Sequence, residues 1–211
     1  MPAAFSEREK ALIKSRLLAA AEECLQKFGV KKTSVEQLTK MAGISKGAFY
    51  IFYGSKEMLF FEVVEKIQHA ILSQLMENLS KKDSDPKTKF IDAIFEAFVL
   101  VKNSSLINLI QGNEIEIILR KLPDEVIKKH HSFDSIFIKN LLKVLEIEES
   151  GDINTISAAL RAVFITTLYE KQIGEYYHEA IKLLVTGLAE QIFKGNDNWN
   201  GGLKNESNRG A

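Results

Sequence analysis

Few residues of this chain have types and spacing suited to chemistry, and most fall between Thr33 and Lys56, in TSVEQLTKMAGISKGAFYIFYGSK. Ser45, Lys46, Gly47, Ala48, Tyr50 and Ile51 would stand on the outside of a short helix there. They offer one cation, two hydroxyls and small residues that permit close approach. That surface suits a helix whose N-terminal end enters the major groove: backbone amides and lysine meet phosphate, and small or apolar side chains meet base edges and thymine methyls. A second cluster is His130 and His131 with Glu125 and Asp134. Adjacent helical positions point about 100° apart, so the two histidines cannot easily chelate one ion, whereas His131 with Asp134 or Ser135 could. There is no glycine-rich phosphate loop, HExxH, CxxC or nucleophile elbow. Neither an enzyme nor a metal or other cofactor is expected.

Two helices must position the first set. Thr33 with Glu36, or Ser34 with Gln37, forms a capping box for a first helix, and both spacings fit. Val35, Leu38 and Ala42 make its apolar stripe, and Gly43 ends it, because glycine adopts a left-handed conformation without a Cβ penalty. Ser45 caps the second helix, with Ile44 and Phe49 at the positions of a hydrophobic staple. The turn between the helices is therefore specified locally.

AGISKGAFYIFYGSKEMLF, with the preceding LLAAAEECLQKFGVKKTSVEQL, resembles the N-terminal domain of the TetR family of bacterial transcriptional regulators over about residues 11–70. The resemblance implies an all-α protein with a three-helix DNA-binding head at residues 1–54 and a helical ligand-binding and dimerisation body at 55–194. It implies a DNA-facing set of Thr33, Ser34, Ser45, Lys46, Gly47, Ala48, Tyr50, Tyr53 and Lys56, with Lys56 on a phosphate. The family usually has Tyr or His followed by Phe where this chain has Phe52 and Tyr53. The phosphate-contacting hydroxyl expected at position 52 is thus absent, and Tyr53 either substitutes for it or packs in the head.

Net charge is zero overall, with 28 basic and 28 acidic residues. It is unevenly placed: residues 1–56 carry ten Lys and Arg against five Asp and Glu, and the remainder carries 18 against 23. A basic segment beside an acidic body fits phosphate attraction at one end. No run of 18 apolar residues occurs, and MPAAFSEREK lacks a secretory apolar stretch, so a cytoplasmic location without membrane insertion is expected. The single Cys24 lies on an apolar helix face and reads as core.

Around the reading pair, residues 6–28 form a helix through Leu17, Ala21, Cys24, Leu25 and Phe28. Ser55 caps a long helix over 55–79; some 25 residues span roughly 37 Å, enough to join a head to a separate body. Asp85 and Pro86 open the next helix, and Gly112 divides the Ile- and Leu-rich stretch 106–122 into two short ones. Pro123 opens a helix to about Ile147, Asp152 one through Leu168, and Tyr176 to Phe193 is the last. Residues 195–211, rich in Gly and Asn and holding Trp199, read as a disordered tail.

The last two long helices are apolar almost all round, and a second subunit is the economical cover for them. Ala158, Ala162, Ile165, Leu184, Gly187 and Leu188 are the expected interface of a two-fold homodimer. The LLVTGL segment also resembles the family's final helix, which implies a four-helix dimer interface. Helical bodies of this family commonly hold a pocket for a small, often apolar effector, and Phe98, Gln111, Phe137, Thr167 and Tyr169 are the candidates to line it. The function implied is a sequence-specific regulator of double-stranded DNA operators, a repressor released by its effector. The alternative is a helical small-molecule binder that has lost DNA affinity.

Overall fold

A computed structural model of the protein describes residues 5–81, 83–146 and 152–193. Among these residues there is no strand, and the chain is all-α. The expected tail at 195–211, with Trp199, and the expected end of a helix near Ile147 lie outside the described residues.

Helix α1 (Glu7–Lys27) starts from a complete capping box: the Ser6 side chain accepts the Glu9 N–H, while the Glu9 carboxylate accepts the Ser6 N–H at 2.8 Å. Helix α2 (Val35–Ala42) is capped by Ser34, which accepts the Gln37 N–H, and ends at Gly43 with φ +69. Helix α3 (Lys46–Phe52) is capped by Ser45, and α4 (Lys56–Leu79) by Ser55. Thr33 does not cap α2. Its hydroxyl donates to the Gly29 carbonyl at 2.7 Å, and the residue is buried.

The body comprises α5 (Pro86–Lys102), α6 (Leu106–Gln111), α7 (Ile115–Leu119), α8 (Asp124–Val144), α9 (Ile153–Ile165), α10 (Glu170–Ile173) and α11 (Tyr177–Phe193). Asp85 accepts the Thr88 N–H and Pro86 stands in the first turn of α5, as the sequence predicts. The continuous helix expected through Leu168 instead tightens into a 3-10 turn over Thr166–Tyr169. The Thr166 and Thr167 hydroxyls donate to the carbonyls of Val163 and Phe164 in that stretch, the kind of local bonding that competes with a regular helix.

Two apolar cores share the molecule, and the division falls inside α4. Leu17, Leu38, Phe49, Leu59 and Phe60 form the first with Leu109 and Ile118 of the short body helices. Leu75 and Leu79 belong to the second, with Phe90, Leu141, Leu160 and Val185. The first core therefore runs past residue 54: α6 and α7 are packed onto the head, so a movement of either is felt there.

Candidate nucleic-acid interface and effector cavity

The staple and cap fix α3 so that one side of it is free. Phe49 is fully buried, Ile44 packs on the same core, and Ser45 Oγ accepts the Ala48 N–H at 3.1 Å. Tyr50 is 51% and Ile51 65% exposed, and Lys46 and Gly47 are exposed beside them. The exposed side of α3 is thus Lys46, Gly47, Tyr50 and Ile51. Ala48, expected on that side, is only 9% exposed and turns toward Phe5, Leu12 and Ile13. It is four residues from Phe52 and one from Phe49, which places it on the inner half of the helix.

Next to α3 lies an open notch of about 430 Å³ where α2 and α4 begin. Four lysines line it: Lys31, Lys32, Lys46 and Lys56. Lys31 and Lys32, which the sequence presents only as a connector, thus join the basic surface. Within the notch Lys46 pairs with Glu36 at 2.5 Å. The bond and the opposite charge hold the Glu36 carboxyl below its usual value and the Lys46 ammonium above its own. Lys56 donates to the carbonyls of Val30 at 2.7 Å and Thr33 at 2.6 Å, so it ties the α1–α2 connection to the start of α4.

Two more expectations for the DNA-facing set, besides Ala48, are corrected by burial. Tyr53 is 5% exposed, stacks obliquely against Phe49 with centroids 5.9 Å apart, and donates to Glu62 at 3.0 Å. Burial and the neighbouring Glu62 charge push its phenol far up. It packs in the head and does not replace the hydroxyl missing at Phe52. Thr33 is the second, since its hydroxyl faces Gly29 rather than solvent.

A contact between body and head has no counterpart in the sequence pattern. Glu114, buried in the α6–α7 connection, accepts the Val30 N–H at 2.6 Å and the Lys31 N–H at 3.2 Å. Gly29 makes room for it: its φ is +76, and a Cβ there would meet Glu114 Oε2 at 2.6 Å.

The body contains a cavity of about 830 Å³ between α5, α6 and the segment from Thr167 to Lys182. Phe98, Gln111 and Thr167 line it, together with Tyr177 and Ile181, which sequence reading missed. Phe137 and Tyr169 do not. Phe137 packs on the second core, and the Tyr169 hydroxyl, on the surface, donates to Glu116 at 3.1 Å. The irregular stretch 166–176 turns the chain, so helical periodicity no longer gives the direction of Tyr169.

Residues 17–63 match the family model described as bacterial regulatory proteins, tetR family. That match covers the head, whose sequence is similar to TetR-family N-terminal domains. The HTH-type transcriptional regulator YuxN of Bacillus subtilis is 26% identical over 60% of this chain and 44% of its own length. The nucleoid occlusion factor SlmA of Haemophilus ducreyi is 24% identical over 57% and 59%. The chain thus spans about half the length of these curated relatives. The fold extends further: the TetR-family transcriptional repressor QsdR of R. erythropolis matches 90% of this chain and 99% of its own, with a TM-score of 0.62 at 14% identity. The body therefore shares the architecture of TetR-family structures. Among the described residues no helix is long and apolar enough to cross a membrane, and no group of three metal-ligating side chains occurs.

Proposed function

We propose that this chain is a homodimeric, sequence-specific DNA-binding transcriptional regulator of the TetR family, and that it represses until a small effector enters the body cavity. The observation that carries the reading is α3, whose exposed side is Lys46, Gly47, Tyr50 and Ile51 beside a notch lined by four lysines. Lys46 and the notch position the head on phosphates, and Tyr50 and Ile51 meet base edges and thymine methyls. The dimer forms through α9 and α11: Ala158, Ala162, Ile165, Leu184 and Gly187 are exposed, and Leu188 is partly so. Two-fold symmetry then presents two α3 helices to half-sites about 34–36 Å apart.

Release follows from the placement of Glu114. Gln111 and Asn113 line the cavity, and the next residue holds the Val30 and Lys31 amides. An effector that favours another position of this connection shifts the head by population, as far as its differential affinity for the two positions allows.

The test is selection of bound fragments from random duplex DNA, followed by affinity against salt. The expected outcome is an enriched palindrome whose affinity falls steeply as salt rises. The second reading, a small-molecule binder without DNA affinity, draws on the thinness of the phosphate set: Phe52 lacks a hydroxyl, Tyr53 is buried and Lys46 is paired with Glu36. Absence of enrichment and of salt-dependent binding would select that reading.

A further inference from the structure

We propose that the body cavity takes an apolar monoanion, an acyl or aryl carboxylate whose hydrophobic part fills the interior and whose charge lies among lysines at the opening. The proposal rests on the reading of this cavity as the effector site. The interior is apolar: Phe98 is stacked on Phe164 with centroids 4.4 Å apart, and Ile110, Tyr177 and Ile181 are buried in the wall. Some of the polar groups near it are already engaged. Thr167 donates to the Phe164 carbonyl at 2.7 Å, and the Tyr177 hydroxyl lies 3.3 Å from Thr166 Oγ1. A ligand that is polar throughout would lose hydration against this aromatic and aliphatic wall without recovering all of its hydrogen bonds.

The rim has the opposite character, and its charge is unbalanced. Lys102 at the end of α5, Lys171 in α10 and Lys182 in α11 all line the cavity and are all exposed. Among the described residues none of the three is ion-paired. The one acid in the lining, Glu170, stands 3.9 Å from His178 Nε2, a fourth nitrogen base on the same wall. Three elements that are separate in sequence thus bring three lysines to one apolar opening, where the potential is positive and low-dielectric walls focus it. A carboxylate on an apolar body complements both parts, while a neutral ligand leaves the lysines unanswered and a cationic one is repelled.

The test is titration calorimetry on the full chain at low ionic strength, with dodecanoate and 2-naphthoate, their neutral counterparts dodecanol and 2-naphthalenemethanol, and dodecyltrimethylammonium. At least one acid should bind about tenfold or more tighter than its alcohol, with the gap narrowing as salt rises, and the ammonium should not bind. Preference between dodecanoate and 2-naphthoate separates an acyl from an aryl ligand. Lys102→Gln with Lys182→Gln should close the gap between acids and alcohols. Alcohols binding as tightly as acids would overturn the anion assignment while leaving the cavity a binding site. No heat from any of the five compounds would overturn it too, and would count against the effector cavity itself.

Discussion

Glu114 reaches from the α6–α7 connection to accept the backbone N–H of Val30, 84 residues earlier, at 2.6 Å. There a body carboxylate closes over backbone amides of the head beside the lysine-lined notch. Truncation should be costly because both amides lose their acceptor: Glu114→Ala is expected to lower stability by about 1–3 kcal/mol in denaturant unfolding. Glu114→Gln, which keeps one carbonyl acceptor, should cost less. If Glu114→Ala also abolishes the response to effector while DNA binding persists, the carboxylate is part of the release mechanism. An intact response would assign it to stability alone.

Gly29 supplies an independent test of the same contact. Gly29→Ala forces a side chain into φ +76 and brings its Cβ against Glu114, so a loss above about 1 kcal/mol is expected. In the double variant with Glu114→Ala the clash is gone, and its loss should be smaller than the sum of the two single-variant losses. Strict additivity would mean that backbone strain, not the carboxylate, sets the need for glycine.

For the head, Tyr50→Ala and Lys46→Ala should each weaken operator binding, on the order of tenfold, with the dimer intact. Only Lys46→Ala should also reduce the salt slope, by about one. Glu36→Gln releases Lys46 from its pair and takes an anion out of the notch, so it should strengthen binding. Unchanged operator affinity in all three variants would remove α3 and its notch from the interface.

For the dimer, Gly187→Phe is a clean probe, since a Cβ at Gly187 meets nothing within 4 Å and the monomer has room for a side chain. The variant should fold with an unchanged helical signal and sediment as a monomer. Sedimentation as the parental dimer would place the interface elsewhere than on α11.

Acid should weaken the fold through the helix caps. The Thr155 hydroxyl and the Asn154 N–H hold the Asp152 carboxyl below its ordinary 3.8. A carboxyl depressed in the folded state contributes stability above its unfolded value, and that contribution is lost as pH falls through the folded value. Stability measured by denaturant should therefore decline below about pH 4, and Asp152→Asn should flatten that decline. An identical slope in the variant would assign the acid sensitivity to other carboxylates.

Local chemistry was legible in the sequence by itself. Ser34, Ser45, Ser55 and Asp85 cap where the sequence places them, Gly43 ends α2, and Pro86 opens α5, because each acts through backbone groups only a few residues away. The capping box of Ser6 and Glu9 belongs to this class and is equally readable. Tertiary structure alone decided which side chains face outward at helix ends and which distant groups meet. Tyr53 and Ala48 turn inward because α1 and the start of α4 close over them, a matter of packing direction that spacing leaves open. Glu114 finds Val30, and Lys102 and Lys182 come to line one cavity, only after α5, α6 and α11 have packed. Their meeting depends on chain crossings over many tens of residues, for which no local pattern of caps, turns or apolar periods carries a signal.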